Sequence, residues 1–153
     1  MPAYPNGCHV AEIEIDPVSG ALALTRYAAV DDVGTVVNPM IVDGQVHGGV
    51  THGIGQALME GAIYDDEGQL INGSFMDYAM PRADDFPGFR IDFSEIPASS
   101  NPLGVKGGGE IAPVACLPAV LNAVVDALSP LGVTHVEMPA TPERLWRTIQ
   151  DAR

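Results

Sequence analysis

The chain has 153 residues, the length of one ordinary domain, and its 46% hydrophobic against 18% charged residues predict a folded core rather than a disordered tail. The formal net charge of −13, with only seven Lys and Arg residues, excludes a nucleic-acid partner because phosphates would be repelled and left unneutralised. The two cysteines, Cys8 and Cys116, exclude a disulfide framework or a cysteine-based zinc site.

The same features give expectations about the compartment. We expect both thiols to be small, reduced side chains and the protein to be cytoplasmic. Residues 1–7 lack a basic region followed by an apolar run, so no signal peptide is visible. No apolar run reaches 18 residues, so we predict no membrane span.

The first two elements are predicted to form a β-hairpin. Polar and apolar side chains alternate over residues 9–15, which is typical of a strand. Residues 16–20 carry turn chemistry, and residues 21–30 are predicted to form the second strand. Residues 31–34 are interpreted as a loop. The acidic pairs at 31–32, 65–66 and 84–85 are all interpreted as solvated turn residues.

Asn38 and Pro39 predict the start of a helix, with Asn as the cap and Pro at the first helical position. The helix should run from residue 39 to about residue 61, because apolar residues recur every four positions and give one core stripe. That stripe contains Val42, Val46, Val50, Ile54 and Leu58.

The same helix contains an unusual set of glycines: Gly44, Gly48, Gly49, Gly53 and Gly55. Each costs about 1 kcal/mol relative to Ala in a helix interior. Their number indicates a close approach of the helix backbone to another backbone or to a ligand, and tight helix packing alone explains them equally well.

Further elements follow in the second half. We predict an extended segment over residues 73–80, a strand over 89–95, a loop over 97–109, a helix over 113–128 and a short helix capped by Thr141. Together these predict an α+β fold in which a β-hairpin and a short mixed sheet are packed by two main helices, within a single domain or fragment spanning residues 1–153.

The most informative stretch for chemistry is the loop of residues 104–110, which places three glycines directly before Glu110. Bare backbone N–H groups can approach an anionic or highly polar ligand closely. A carboxylate at the start of a helix faces the positive end of the helix dipole, which suits a general base. Glu110 can also be read as an ordinary first-turn residue. The loop lacks the pattern of a phosphate loop or a dinucleotide fingerprint.

Other candidate residues are fewer. Gln45 can donate and accept hydrogen bonds and suits recognition of a heterocycle edge, although a solvated glutamine is the simpler interpretation. His47 and His52 lie roughly 140° apart around a helix, so we predict no histidine–metal site. No serine has the strand–turn–helix context of a nucleophile.

Five stretches, in order, resemble the xanthine dehydrogenase superfamily over nearly the whole chain. They are residues 4–17, 30–40, 44–49, 73–84 and 104–110. The chain resembles the C-terminal part of the molybdopterin-binding large subunit, and it is most similar to the branch that contains carbon monoxide dehydrogenases and related aldehyde or N-heterocycle hydroxylases. The resemblance implies an oxidoreductase that acts on a small-molecule substrate.

The resemblance also implies a cofactor and partners. The cofactor would be molybdopterin cytosine dinucleotide with its molybdenum, and FAD and [2Fe-2S] clusters would lie on partner subunits. Glu110 would be the catalytic base that takes a proton from a molybdenum-bound hydroxyl. Gln45 would hydrogen-bond the pterin. Lys106, Gly107, Gly108 and Gly109 would line the cofactor, and Asp31 and Ile41 are weaker candidates for its nucleotide end.

The chain departs from the family pattern in places. Ile111-Ala112-Pro113 follows the glutamate where Ala-Gly or Ser-Gly is usual, Gly108 replaces a common Val, and His52 stands where Gln is expected. Family large subunits are several times longer, so we expect a split subunit, a truncated gene or an excised piece that needs the remainder of the large subunit. The alternatives are an inert fragment that self-associates through an exposed apolar patch, giving a homo-oligomer, and a non-catalytic assembly module.

Overall fold

The computed structural model describes residues 3–153. Its sheet has three strands in that part of the chain, β1 (Asn6–Ile15), β2 (Leu22–Asp32) and β3 (Phe89–Phe93), in the order β1-β2-β3. Strands β1 and β2 pair antiparallel with Cys8 opposite Val30, whereas β3 pairs parallel to β2. The predicted hairpin and the mixed sheet are therefore confirmed.

Helices α1 (Pro39–Leu58), α2 (Ile111–Leu128) and α3 (Pro142–Asp151) complete the regular structure, with short 3-10 turns at Ala83–Asp85 and Ser129–Leu131. The predicted caps are present. The Asn38 side chain accepts a hydrogen bond from the Ile41 amide, and the Thr141 hydroxyl accepts one from the Arg144 amide. The α+β fold class is confirmed.

Helices α1 and α2 pack together against one face of the sheet. The alternating side chains of β1 and the predicted stripe of α1 both point inward, with Val46, Val50 and Ile54 fully buried. Helix α3 closes a second cluster through Leu145 and Ile149.

The packing of α1 on α2 is close because of two glycines. A Cβ on Gly49 would lie 2.7 Å from the Ala112 Cβ, and a Cβ on Gly53 would lie 2.8 Å from the Cys116 Cβ. Tight helix packing therefore explains these two glycines, but a Cβ on Gly44 or Gly48 would meet nothing within 4 Å.

Three local predictions were wrong. Asp31 and Asp32 belong to β2 and are buried, not solvated loop residues, because the strand continues into the core. Residues 74–78 form a hydrogen-bonded turn instead of an extended segment, since the Asp77 and Tyr78 amides both donate to the Ser74 carbonyl. Helix α2 begins two residues before Pro113, which a proline in a first turn permits.

No membrane span was predicted, but one helix has the length and composition of such a span. The stretch Ile111–Leu131 has a mean hydropathy of 1.9. It packs against α1 and β1, and a core helix meets the same criteria, so length and composition alone are weak evidence for a span.

Candidate active site

Glu110 occupies the N-cap of α2, directly after the glycine loop. Its side chain is exposed and accepts no hydrogen bond from the helix that it precedes. Within residues 3–153, the backbone N–H groups of Gly107, Gly108, Gly109 and Glu110 donate to no protein acceptor. The loop therefore presents a carboxylate beside a run of free donors.

Lys106, at the start of this loop, fixes the loop to the sheet. The Lys106 amide donates to the Val33 carbonyl at 2.8 Å, and its ammonium lies 2.5 Å from a carboxylate oxygen of Asp32. The other Asp32 oxygen accepts hydrogen bonds from the Gly34 and Ile96 amides. The loop thus starts from a rigid point.

These contacts lower the pKa of the Asp32 carboxyl group. Burial raises its pKa, but the hydrogen bonds from Lys106, Gly34 and Ile96 outweigh burial and hold the pKa below its ordinary value. Asp32 is therefore a buried, ionised anchor for the loop.

Glu110 lies between two open clefts. The larger, of about 670 Å³, is lined by the β1 entrance and by the first turns of α2, including Gly7, Gly107, Ile111 and Val114. Most of its surface is apolar. The smaller, of about 260 Å³, lies between α1 and the start of α2 and is mainly polar. One carboxylate can therefore face an apolar and a polar compartment.

The wall of the polar cleft that α1 forms carries few side chains, because three of its residues are glycines. Gln45, Gly48 and His52 follow one another at spacings of three and four residues, so they share one face of the helix. The open faces of Gly44 and Gly48 lie in the same wall. A flat polar group could reach the α1 backbone here, and Gln45 and His52 could bond to its edge.

The structure brings together only some of the predicted residues. Gln45, Gly109 and Glu110 share the polar cleft, while Gly107 joins Glu110 in the apolar cleft. A Cβ on Gly108 would lie 3.5 Å from Val33, and Gly108 lines neither cleft. Ile41 is exposed in the first turn of α1 and also lines neither cleft. The Lys106 ammonium forms an ion pair with Asp32, so its charge faces the sheet and not a cleft.

Asp31 lines neither cleft. Its carboxylate is fully buried, and its two oxygens lie 3.1 and 3.2 Å from His9 Nε2. His9 Nδ1 lies 2.6 Å from the Tyr27 hydroxyl. Both hydrogen bonds of the His9 ring form when the Tyr27 hydroxyl donates to Nδ1 and Nε2–H donates to Asp31.

The buried network extends to Cys116. Burial raises the pKa of the Cys116 thiol to about 11, and burial also raises the pKa of Tyr27. Both groups stay protonated and serve the core. The Asp31 carboxylate lies directly beneath Gly7, where a Cβ would collide with it, so the network also supports the wall of the apolar cleft.

Sequence reasoning missed two sets of residues at the site. His52 lies seven positions after Gln45, a helical spacing that could have revealed it. Pro5, Asn6 and Gly7 reach the apolar cleft only because β1 ends there, and no local pattern signals this. Among residues 3–153 no group of three His, Cys, Asp or Glu side chains is placed to hold a metal ion.

Residues 1–87, more than half of the chain, match the family model described as molybdopterin cofactor-binding domain. The nicotine 6-hydroxylase large subunit of Paenarthrobacter nicotinovorans is 45% identical over 146 residues, which are 95% of this chain and 18% of that protein.

Two solved structures are also similar. The carbon monoxide dehydrogenase from Oligotropha carboxidovorans matches with a TM-score of 0.94 and 37% identity over 98% of this chain and 19% of that one. The quinoline 2-oxidoreductase from Pseudomonas putida 86 matches with a TM-score of 0.90 and 47% identity over 94% and 18%. The chain thus spans about a fifth of the length of the relatives it matches.

Proposed function

The chain belongs to the molybdopterin cofactor-binding domain family, and from this membership we propose that it supplies the base, Glu110, and part of the cofactor-binding wall of a molybdenum hydroxylase. The observation that carries the proposal is the position of Glu110, a free carboxylate between two clefts at the end of a loop of unpaired N–H donors.

The residues present fit a pterin cofactor. Open glycine faces at Gly44 and Gly48 give a flat ring access to the α1 backbone, and the Gln45 amide offers a donor and an acceptor. The free N–H groups of residues 107–110 suit the polar or anionic parts of such a group. Gln45 and the loop glycines would therefore hold the cofactor, which supplies the electron-accepting molybdenum when bound.

The role of Glu110 follows from its surroundings. A carboxylate oxygen that makes no hydrogen bond to its own helix is available to accept a proton during substrate oxidation. The loop that carries it is tied to the sheet through Lys106 and Asp32, so the carboxylate is held at a defined place.

The substrate proposed is CO, an aldehyde or an N-heterocycle, and the N-heterocycle is favoured. Two relatives at 45% and 47% identity are named for nicotine and quinoline. The larger cleft beside Glu110 is apolar and has a volume of about 670 Å³, which suits a ring better than a diatomic gas.

The remaining parts of the enzyme are proposed from the family. They are the cytosine dinucleotide form of the cofactor, the remainder of the large subunit, an iron–sulfur subunit and an FAD subunit, all in the cytoplasm. The proposal includes them because this chain spans only about a fifth of its relatives.

The test is Glu110→Gln in the complex purified with its partner subunits. Hydroxylase activity should fall by about 10²- to 10⁴-fold, the usual contribution of a general base, while molybdenum stays near one per complex. Glu143→Gln is the matched control, because Glu143 is an exposed α3 residue paired with Arg147, and it should keep full activity.

Activity that survives Glu110→Gln would exclude Glu110 as the essential base. A stable complex without molybdenum would favour the non-catalytic assembly module. An isolated chain that joins no partner would favour the inert fragment.

A further inference from the structure

A buried ion pair lies behind one wall of the apolar cleft. His9 of β1 and Asp31 of β2 have side chains that are 1% and 0% exposed, and His9 Nε2 lies 3.1 Å from a carboxylate oxygen of Asp31. Removing such a pair from water costs free energy, and hydrophobic side chains of similar volume often fill the same space with no loss of stability. The stability of the fold therefore does not by itself explain why two ionisable groups are placed here.

The buried pair contacts the cleft wall at Gly7. Gly7 lies opposite Asp31 in the register of the hairpin, and His9 follows two positions later on the same face of β1. A Cβ on Gly7 would collide with the Asp31 carboxylate, so this carboxylate occupies the space in which a side chain at position 7 would lie. Residues 5–7 line the apolar cleft. The position of Asp31 therefore determines how closely this wall can approach the sheet.

The same network reaches the opposite wall of the cleft. The Tyr27 hydroxyl lies 2.6 Å from His9 Nδ1 and also contacts the Cys116 thiol of α2. The thiol donates a hydrogen bond to the Val50 carbonyl of α1 at 3.3 Å. Cys116 directly follows Ala115, which lines the cleft with the first turns of α2. One series of polar contacts therefore joins β1 and β2 to the helix that forms the other wall.

The end of β2 supports the cleft from both of its faces. Asp31 and Asp32 are consecutive strand residues, so their side chains point to opposite sides of the sheet. Asp32 fixes the glycine loop through Lys106, and Asp31 fixes the entrance of β1 through His9. Both the loop and the entrance of β1 line the apolar cleft.

We propose that His9 and Asp31 are positioning residues that hold the β1 wall of the apolar cleft and thereby set the affinity of the cleft for a ring substrate. This inference rests on the proposed function, which makes this cleft the substrate site. Hydrogen bonds are directional, whereas hydrophobic contacts are not, so the network fixes one spacing between the two walls.

The first measurement is steady-state kinetics of the complex purified with its partner subunits. The probe is whichever of nicotine, quinoline and pyridine the wild-type complex oxidises fastest. Asp31→Ala should raise KM at least about fivefold and leave kcat within about twofold, because a cleft wall contacts substrate and transition state alike. Asp31→Asn should restore the wild-type KM, since the amide oxygen can still accept a hydrogen bond from His9 Nε2–H.

Gly7→Ala tests the same wall by a second route, which remains open where Asp31→Ala fails to fold. The new Cβ would collide with the Asp31 carboxylate, so the wall must move although both members of the buried pair are present. The KM should rise in this variant as well, again with little change in kcat.

Leu145→Ala is the matched control for a purely structural role. Leu145 is fully buried in the second hydrophobic cluster and lines neither cleft. This variant should lower the unfolding temperature and keep the wild-type KM. In the isolated full chain, amide hydrogen exchange at residues 6–9 should be at least about tenfold faster in Asp31→Ala than in Leu145→Ala.

A wild-type KM in both Asp31→Ala and Gly7→Ala would overturn the proposal, as would an equal rise of KM in Leu145→Ala. A raised KM in Asp31→Asn would overturn it too, because the hydrogen bond to His9 would then not be what holds the wall. Oxidation of none of the three heterocycles would have the same consequence. Activity that survives Glu110→Gln, together with the expected pattern of KM values, would instead count against the proposed function alone.

Discussion

Lys106 and Asp32 connect the glycine loop that precedes Glu110 to the sheet. Both side chains are almost completely buried, and the pair joins positions 74 residues apart. A salt bridge of this kind is strongly coupled, because either partner alone would be a buried, uncompensated charge.

Lys106→Met tests this anchor. The variant leaves the Asp32 carboxylate buried with no cation beside it and with only the Asn6 side chain and the Gly34 and Ile96 amides as donors. The free energy of unfolding should fall by about 3–5 kcal/mol in urea titrations. The double variant Asp32→Asn/Lys106→Met should lose less, since no charge remains buried. Equal losses in the two variants would show that the pair is not coupled.

The anchor also has a pH signature. Because the pKa of Asp32 is held below 3.8 in the folded state, its contribution is present above pH 3.8 and is lost as the pH falls through the folded-state value. The stability difference between wild type and Lys106→Met should therefore shrink on acidification below about pH 4. A difference that stays constant down to pH 2 would contradict this assignment.

The two thiols should differ sharply in reactivity. Cys8 is exposed, whereas Cys116 is buried and its pKa is raised to about 11. At pH 8, iodoacetamide should label one thiol per native chain within minutes and two in guanidinium chloride, as counted by mass spectrometry. Mapping the native label to Cys116 would refute the burial.

The neutral Cys116 thiol supports stability below pH 9, and that support is lost as the pH rises through 11.

At the scale of elements, α1 shows two uses of glycine on one helix. Gly49 and Gly53 let α2 approach, whereas Gly44 and Gly48 leave the wall of the polar cleft bare. Helix packing therefore explains Gly49 and Gly53, and it does not explain Gly44 and Gly48.

Alanine substitutions should separate these uses. Gly49→Ala places a Cβ 2.7 Å from Ala112 and Pro113, so α2 must shift and stability should fall by about 1–3 kcal/mol. Gly48→Ala meets no atom within 4 Å and should raise helix stability by up to about 1 kcal/mol.

The cofactor proposal adds a second readout for Gly48→Ala. A more stable chain should nevertheless retain less molybdenum in the purified complex, because the new methyl group stands in the wall that the pterin would contact. Thermal unfolding of one preparation checks the predicted gain in stability, and metal analysis of the same preparation checks the predicted loss of molybdenum. Full molybdenum retention would remove this face of α1 from the proposed site.

At the scale of the whole molecule, the candidate site draws on segments that are far apart in sequence. The entrance of β1, the face of α1 and the loop before α2 meet around Glu110. They meet because α1 and α2 share one core with the hairpin, so the same packing that stabilises the chain places the carboxylate. Ile63, Phe75 and Met76, between α1 and β3, are exposed and belong to neither of the two hydrophobic clusters in the described residues.

Periodicity and capping chemistry predicted the hairpin, α1, α2 and α3, because strand alternation, helix stripes and caps depend on residues within a few positions of each other. The turn at residues 74–78 was missed since its hydrogen bonds to Glu60 and within the turn have no such repeat. A mixed sheet was predicted, but the pairing of β3 with β2 and its register were not, because nearly sixty residues separate the two strands.

From its residues alone, the chain determined its α+β class, its family motifs and the position of Glu110 after a glycine run at the start of a helix. Only the tertiary structure decided that Asp31 and Lys106 serve buried pairs, and that Gln45, His52 and Glu110 face one cleft. The physical reason is that a charged side chain interacts with the groups that tertiary packing places within a few ångströms of it. Neither composition nor local spacing specifies which groups these are.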